Sequence, residues 1–169
     1  MKKMICAITS KITTNTENEA FYINVDVKLA IMEKISELLA IGITDFITNA
    51  ENGMALYAAE IIIALRDIRI QQGMSAFRLH VVAPCETHAC EWDDEAHEKY
   101  YKVHEDAGEV LLLYRQCHDK CYENCERFII DQCDILLCDD ENEFAAQYAT
   151  IHDKGIVICK VPQLIGGET

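Results

Sequence analysis

A run of acidic side chains follows the most apolar short segment of the chain. Segment 135–138 (ILLC) is succeeded by four acids and one amide, namely Asp139, Asp140, Glu141, Asn142 and Glu143. Carboxylates crowded at the end of a buried strand can titrate anomalously or hold a cation. Ligands of open α/β sheets bind beyond the carboxyl ends of the strands, so we expect this acidic loop to line the ligand site.

Thiols and a histidine suggest a second kind of chemistry, metal binding. Four such residues lie close together: Cys117, His118, Cys121 and Cys125. On one continuous helix, Cys117 and Cys125 would be about 12 Å apart along the axis, whereas two sulfurs bound to one zinc at about 2.3 Å are at most about 4.6 Å apart. A site that combines two of these thiols with a residue after the third strand stays open, the candidates being Cys85, Cys90 and His88. The favoured interpretation is packed thiols and no metal.

Patterns for covalent catalysis are missing from the sequence. No local motif resembles a Ser-His-Asp or an activated Cys-His arrangement. Asp93, Asp94 and Glu95 form another acidic run, but at the start of a predicted helix they favour capping in solvent over acid–base work. We therefore expect a protein that is not an enzyme and has no cofactor.

Composition limits the partners and the compartment. The chain has 169 residues and a formal net charge of −14, which disfavours phosphate backbones and anionic membranes, and we expect neither nucleic acid nor membrane as a partner. The apolar stretch after Lys3 is too short for a signal peptide, and no transmembrane run is present. The chain has nine cysteines, and those inside helix and strand patterns, such as Cys6, Cys133, Cys138 and Cys159, behave as small apolar residues, which favours a cytoplasmic location with reduced thiols.

Short apolar runs alternate along the chain with segments of helical periodicity. Strands are predicted at 4–9, 45–48, 78–82, 110–114, 135–138 and 156–159. Helices are predicted at 26–40, 53–71, 91–107, 121–133 and 144–151. Because strands and helices alternate with no hairpin signal, the sequence predicts an α/β, three-layer Rossmann-like fold with a mostly parallel sheet of about six strands. We expect one domain over residues 1–162 and a loose tail at 163–169.

A family resemblance rests on an ordered set of local patterns. They are GITDFIT from Gly42, Gly53, Ala58-Ala59-Glu60, Pro84-Cys85, Trp92, Cys121-Tyr122, Arg127, Asp131, Asp134 and Tyr148-Ala149. Together they resemble the YpsA-like family of unknown function, part of the SLOG superfamily of Rossmann-like proteins. That superfamily includes phosphoribohydrolases and the DNA-handling DprA proteins. The resemblance implies a pocket for a nucleotide-derived ligand at the strand ends.

The resemblance also implies which residues line that pocket. The ligand-binding candidates are Ser10, Lys11, Asn49, Gly53, Cys85, His88, Trp92, Tyr122, Asp140 and Asn142. Where the family places a Gly-Gly-Thr turn against a phosphate, this chain has Asp140, Glu141 and Asn142. Glycines let the backbone approach an anion and acids repel one, by on the order of 4 kcal/mol for unit charges about 4 Å apart. The phosphate loop is therefore predicted to be diverged.

Three hypotheses for function follow from these patterns. The first is a ligand-binding or sensor domain for a nucleotide-derived small molecule, without catalysis. The second is a hydrolase of the glycosidic bond of a nucleotide, of the phosphoribohydrolase type. The third is an interaction scaffold that forms a homodimer and binds nothing small. Release of free base from nucleoside monophosphates distinguishes the second hypothesis from the other two.

Overall fold

The structure, a computed structural model, describes residues 2–10 and 25–160. Lys11 and the predicted tail at 163–169 lie outside these residues. The strands are β1 Ile5–Ile8, β2 Asp45–Thr48, β3 Arg78–Cys85, β4 Glu109–Tyr114, β5 Ile135–Cys138 and β6 Gly155–Ile158. The helices are α1 Val25–Ala40, α2 Met54–Gln71, α3 Asp94–Asp106, α4 Cys121–Asp131 and α5 Phe144–Ile151.

The described strands form one six-stranded sheet in the order β4-β3-β2-β1-β5-β6, and every neighbouring pair is parallel. The chain builds outward from β1 to β4, then crosses back through α4 to place β5 on the other side of β1. The predicted α/β Rossmann-like fold is confirmed. Its strand order reverses direction between β1 and β5, and such a reversal opens a crevice at the carboxyl ends of the strands.

Side chains of the central strands alternate between two apolar clusters on opposite faces of the sheet. Cys6 and Ile8 pack with α1, α2 and α3, whereas Ala7 between them packs with α4 and α5. In β2, Phe46 likewise packs in the cluster of Cys6 and Ile8, and Ile47 packs in the cluster of Ala7. This period of two explains why the central strands are nearly continuous apolar runs, since both faces are covered by helices.

One boundary of the sheet differs from the sequence prediction. We predicted that Pro84 closes the third strand after Val82, but β3 continues to Cys85. Proline lacks the N–H needed for a ladder bond, and it is tolerated where a strand has a free side. That condition holds here because β2 ends at Thr48, opposite Val81, while the pairing of β3 with β4 runs on to Cys85 and Tyr114.

The edge strand β4 is less covered than the central strands. Val110, Leu111 and Leu112 are exposed, at 44%, 43% and 41% of their surface. Glu109 at its start lies 3.1 Å from Nδ1 of His80 on β3. The sheet thus has one apolar edge with a charged residue at its beginning.

Among the helices in the described ranges, none combines the length and the apolar character that a membrane crossing requires.

The core makes a direct prediction about stability. Phe46 is fully buried in β2, and its ring meets that of Phe77 edge-on at a centroid distance of 5.8 Å. Replacing Phe46 by alanine should lower the free energy of unfolding by about 3–5 kcal/mol. Urea unfolding followed by circular dichroism measures this change. Ile68→Ala on α2, where 48% of the side chain is exposed, is the control and should change it by less than about 1 kcal/mol. A small effect of Phe46→Ala would contradict this account of the core.

Candidate functional site

The loop after β2 is a buried polar turn at the centre of the crevice. Thr48 donates its hydroxyl to the carbonyl of Ile8 at 2.8 Å and accepts from the amide of Ala50 at 3.1 Å. The Oδ1 atom of Asn49 accepts from the amide of Glu51 at 3.1 Å. Ala50 has a φ of 52°, in the left-handed region that costs a residue with a Cβ about 1 kcal/mol or more. These constraints fix the side chain of Glu51 inside the protein.

The end of β1 lies against the start of α2. Ser10 is buried, and its hydroxyl donates to the carbonyl of Glu51 at 3.5 Å. Gly53 has a φ of 127°, and a Cβ built there would be 3.5 Å from Oγ of Ser10. Of the predicted site residues, Ser10, Asn49 and Gly53 are therefore brought together. The side chain of Asn49 shapes the turn, since its carbonyl oxygen is used by the backbone.

Glu51 and His88 form a buried pair beside this turn. Each is 4% exposed, and Nε2 of His88 lies 3.3 Å from Oε2 of Glu51, in a geometry that is not that of a hydrogen bond. Burial raises the pKa of Glu51 to about 8, and burial lowers the pKa of His88 to about 4. The contact near neutral pH is therefore one between two uncharged groups, although the distance alone would suit an ion pair.

Several polar atoms at this pair have no hydrogen-bond partner among the described residues. They are Oε2 of Glu51, both ring nitrogens of His88 and Oδ1 of Asn52. A buried polar atom without a partner costs about 1–3 kcal/mol. These atoms belong to the turn after β2 and to His88 beside it. A ligand that offers hydrogen-bond donors and acceptors would therefore bind most favourably at this place.

Aromatic rings enclose the imidazole of His88. Its centroid lies 5.0 Å from the ring of Trp92, 5.4 Å from that of Tyr100 and 5.4 Å from that of Tyr122. Trp92 and Tyr122 are half-buried, and Tyr100 is buried. Trp92 also meets Tyr100 edge-on at 5.1 Å, so it anchors the α3 side of the site. The predicted residues His88, Trp92 and Tyr122 thus share one cluster.

Further carboxyl groups crowd the opposite side of the crevice. Thr9, at the end of β1, donates its hydroxyl to Oε1 of Glu143 at 3.4 Å. Burial and the nearby charges of Asp139 and Glu126 raise the pKa of Glu143 to about 8. Burial, with Glu51 as the next cause, raises the pKa of Glu126 to about 7. At this side of the crevice, both ionisation of these carboxyl groups and the approach of an anion are therefore unfavourable.

The predicted acidic loop lies at this same end. Asp140 is half-buried, and its Oδ1 accepts from the amide of Asn142 at 2.8 Å. Asn142 is exposed, and α5 begins two residues later with Glu143 as its N-cap. The turn is closed by a carboxylate, where a phosphate-binding turn would offer its amides to an anion.

The predicted arrangement of cysteines is wrong in one respect. The expectation of separate thiols fails for Cys85 and Cys117, whose sulfurs are in bonding contact with their Cα atoms 5.3 Å apart. The sulfur of Cys121 belongs to the same group. Cys117 precedes α4, which begins at Cys121 as predicted, and the pairing of Cys85 with Tyr114 brings the loop after β4 to the end of β3.

Sequence reasoning missed four of the residues that meet here. Three of them, Glu51, Tyr100 and Glu126, were not predicted at all, whereas Glu143 belongs to the acidic loop expected to line the site but was not among the named ligand-binding candidates. A signal existed for Glu51, because it is the acid between Asn49 and Gly53 in a loop that follows a buried strand. Glu126 gives no such signal, since a single acid on a helix is usually exposed.

The raised pKa of Glu51 predicts a pH dependence of stability. The folded chain keeps a proton on Glu51 up to about pH 8, whereas the ordinary pKa is 4.5. Stability from this group is fully present below pH 4.5 and is lost as the pH rises through about 8. Between about pH 6 and pH 9, the free energy of unfolding of the parent should fall more steeply than that of Glu51→Gln, by on the order of a few kcal/mol.

Chemical denaturation across this pH range measures the two slopes. Glu86→Gln is the matched control, because Glu86 lies near His88 in sequence but is exposed, and it should keep the parental slope. Equal slopes in the parent and Glu51→Gln would show that Glu51 is not protonated in the folded state.

A comparison with solved structures shows the same fold in a DNA-binding protein. The chain is similar to DNA processing protein A from Helicobacter pylori, with a TM-score of 0.60 and 15% identity, over 92% of this chain and 64% of that one. That protein is described as having a single-stranded DNA binding mode. The exclusion of nucleic acid as a partner was therefore wrong. A net charge of −14 averages over the whole surface and does not exclude a local site on this fold.

Comparisons of sequence identify relatives over most of the chain. A UPF0398 protein of Macrococcus caseolyticus is 25% identical over 141 residues, which are 81% of this chain and 72% of that protein. A UPF0398 protein of Staphylococcus epidermidis is 25% identical over 134 residues, 77% of this chain and 66% of that protein. The chain thus spans about two thirds of the length of such relatives. The YpsA family model, described as the YspA SLOG family, matches residues 15–154, and the chain belongs to this family.

Proposed function

We propose that the crevice at the carboxyl ends of the strands binds a nucleotide-derived ligand through its base. The observation that carries this proposal is the set of buried, unpartnered polar atoms on Glu51, Asn52 and His88 beside half-buried aromatic rings. A ligand that supplies the missing donors and acceptors recovers about 1–3 kcal/mol at each atom. Specificity in ligand pockets comes from a few such groups within an apolar and aromatic lining.

The protonation of Glu51 narrows the class of base. A neutral carboxylic acid presents one donor and one acceptor side by side. The N6 amino group of adenine is a donor and its N7 is an acceptor, so this edge of the base is complementary to the carboxylic acid. Trp92 and Tyr122 are half-buried beside the Glu51–His88 pair. A base stacked on one of these rings would gain about 1–3 kcal/mol of binding free energy.

The acidic side of the crevice disfavours a phosphate-rich ligand. Burial first, and then the charges of neighbouring acids, raise the pKa values of Glu126 and Glu143. A multiply charged phosphate placed there would meet the same repulsion, on the order of 4 kcal/mol per close pair of charges. A nucleoside, or a base whose phosphates point into solvent, avoids this penalty.

A second candidate function is hydrolysis of the N-glycosidic bond of a nucleotide. It is favoured by one observation, the pKa of about 8 for Glu51, which keeps a proton on a carboxylic acid at neutral pH. Such an acid can deliver a proton to a departing base, as general acids with raised pKa values do. Incubation with nucleoside monophosphates, followed by chromatography for free base, tests this candidate. Release of base that is abolished by Glu51→Gln would place the hydrolase ahead of a pure binding function.

Calorimetric titration gives the test of the binding proposal. We expect adenosine and a short single-stranded oligonucleotide to bind more tightly than ATP. Trp92→Ala should weaken adenosine binding by about 10-fold to 100-fold, the loss of one stacking contact. Glu51→Leu should weaken it as well, because it removes both the donor and the acceptor, whereas Glu51→Gln should keep adenosine binding because an amide also presents one donor and one acceptor side by side.

The control for both substitutions is Glu86→Gln, which changes an exposed residue on the loop between β3 and α3 that also carries Trp92. It should bind adenosine as the parent does. A dissociation constant for ATP below that for adenosine would count against the proposal. So would the failure of adenosine and the oligonucleotide alike to bind.

The acidic loop generates a separate prediction. Replacing Asp140 and Glu141 by glycine should raise the affinity for AMP, because two charges near the α5 terminus are removed and the backbone can approach the phosphate. Stability should fall by only about 1 kcal/mol from the lost turn contact and the added chain entropy. Calorimetry and urea unfolding measure the two effects.

A matched control removes two charges elsewhere. Glu98→Gln with Glu105→Gln changes two exposed acids on α3 and leaves the crevice intact. If it raises AMP affinity as much as the glycine variant does, the effect is one of net charge and the loop is not the barrier.

A further inference from the structure

Three cysteine sulfurs converge at the carboxyl end of β3. Cys85 is the last residue of that strand, Cys117 lies in the loop after β4, and Cys121 is the first residue of α4. Their Sγ atoms all lie within 4.8 Å of one another. Cys85 and Cys121 are buried, and Cys117 is exposed. Three chain segments thus supply one thiol each to a single point.

We propose that Cys85, Cys117 and Cys121 bind one Zn²⁺ ion, or a cation of similar softness, through three thiolates. Sulfurs on a tetrahedral zinc with bonds of about 2.3 Å lie about 3.8 Å apart. The three Sγ atoms already lie within 4.8 Å of one another, and the sulfurs of Cys85 and Cys117, which are in bonding contact, must separate to reach the zinc spacing. Cys117 and Cys121 are separated by three residues, within the spacing that zinc ligands on one segment show. Binding releases the proton of each thiol to solvent as the bond to the metal forms.

The surroundings favour thiolates at this point. Cys121 opens an eleven-residue helix, so the three sulfurs meet at a helix amino terminus, which carries a partial positive charge. The hydroxyl of Thr87 lies 3.2 Å from the sulfur of Cys117 and 3.8 Å from that of Cys85. A donor placed between two ligands orients them and reduces the repulsion between their charges, as outer-shell groups of metal sites do.

The structure joins Cys85 and Cys117 as a disulfide, and this oxidised form is the competing use of the same sulfurs. It would take up two sulfurs, transfer two electrons to an oxidant and leave Cys121 unused. Metal binding employs all three and requires no oxidant. Because Cys117 faces solvent, the ion enters from that side, and its fourth position is available to a water molecule or an added ligand, as in exchangeable zinc sites. His118 is not in the group, and its Nδ1 accepts from the amide of Lys120 at 3.3 Å.

Zinc titration of the full chain tests the proposal without any nucleotide. The protein is reduced with a phosphine under metal-free conditions, titrated with Zn²⁺ against a chromophoric chelator, and assayed for metal by elemental analysis. The parent should bind one zinc per chain, and cobalt should give the charge-transfer absorption of thiolate ligands. Cys117→Ser should abolish stoichiometric binding without unfolding the protein, since this side chain is exposed. Thr87→Val should weaken binding by about 10-fold to 100-fold.

The matched control is Cys90→Ser, which removes the other exposed cysteine and should bind zinc as the parent does. Cys85→Ser and Cys121→Ser complete the set, with circular dichroism as the check on folding. Retention of zinc by Cys117→Ser, or no zinc in the fully reduced parent, overturns the proposal. So does a Cys85–Cys117 disulfide that remains closed in the presence of the reductant.

Discussion

The double pairing of β1 is the constraint on which the rest of the structure depends. This strand bonds to β2 on one side and to β5 on the other, and the amide of Thr9 continues the second ladder to the carbonyl of Leu137 at 3.1 Å. Because the sheet reverses its order at this point, the carboxyl ends of β1, β2 and β5 border the crevice. Thr9, Ser10 and Glu51 are buried there as a direct result of strand order.

Burial of uncompensated acids gives the crevice its chemical character. Glu51 lies among aromatic rings, and Glu126 and Glu143 lie among other carboxyl groups, so their pKa values rise for partly different reasons. A site of this kind selects against negative charge and offers protonated oxygens as donors. That character differs from the glycine-rich turns by which Rossmann-like folds in general hold a phosphate. The same fold can therefore serve ligands that differ in charge while the sheet is unchanged.

The elements of the fold could be predicted from local patterns, whereas the contacts of the site could not. Apolar runs and helical periodicity located every strand and helix of the described residues, because both faces of the sheet are covered. The end of β3 was misplaced because Pro84 is a strand breaker only where both neighbours are present. The grouping of Cys117 with Cys85 depends on the register in which β4 pairs with β3, and the protonation of Glu51 depends on desolvation by residues distant in sequence. Neither quantity is encoded in residue spacing.

The apolar edge of β4 has a consequence for the behaviour of the protein in concentrated solution. Val110, Leu111 and Leu112 are exposed apolar side chains on an edge strand, whose outer backbone groups have no neighbouring strand in the described sheet. A strand of this kind can pair with the same strand of another molecule and so start aggregation. Glu109 before this run and Arg115 after it act as charged gatekeepers that disfavour in-register stacking of like chains. Glu109, Arg115 and the net charge of the protein therefore oppose aggregation. Added salt screens these charges, so the tendency to aggregate should rise with ionic strength.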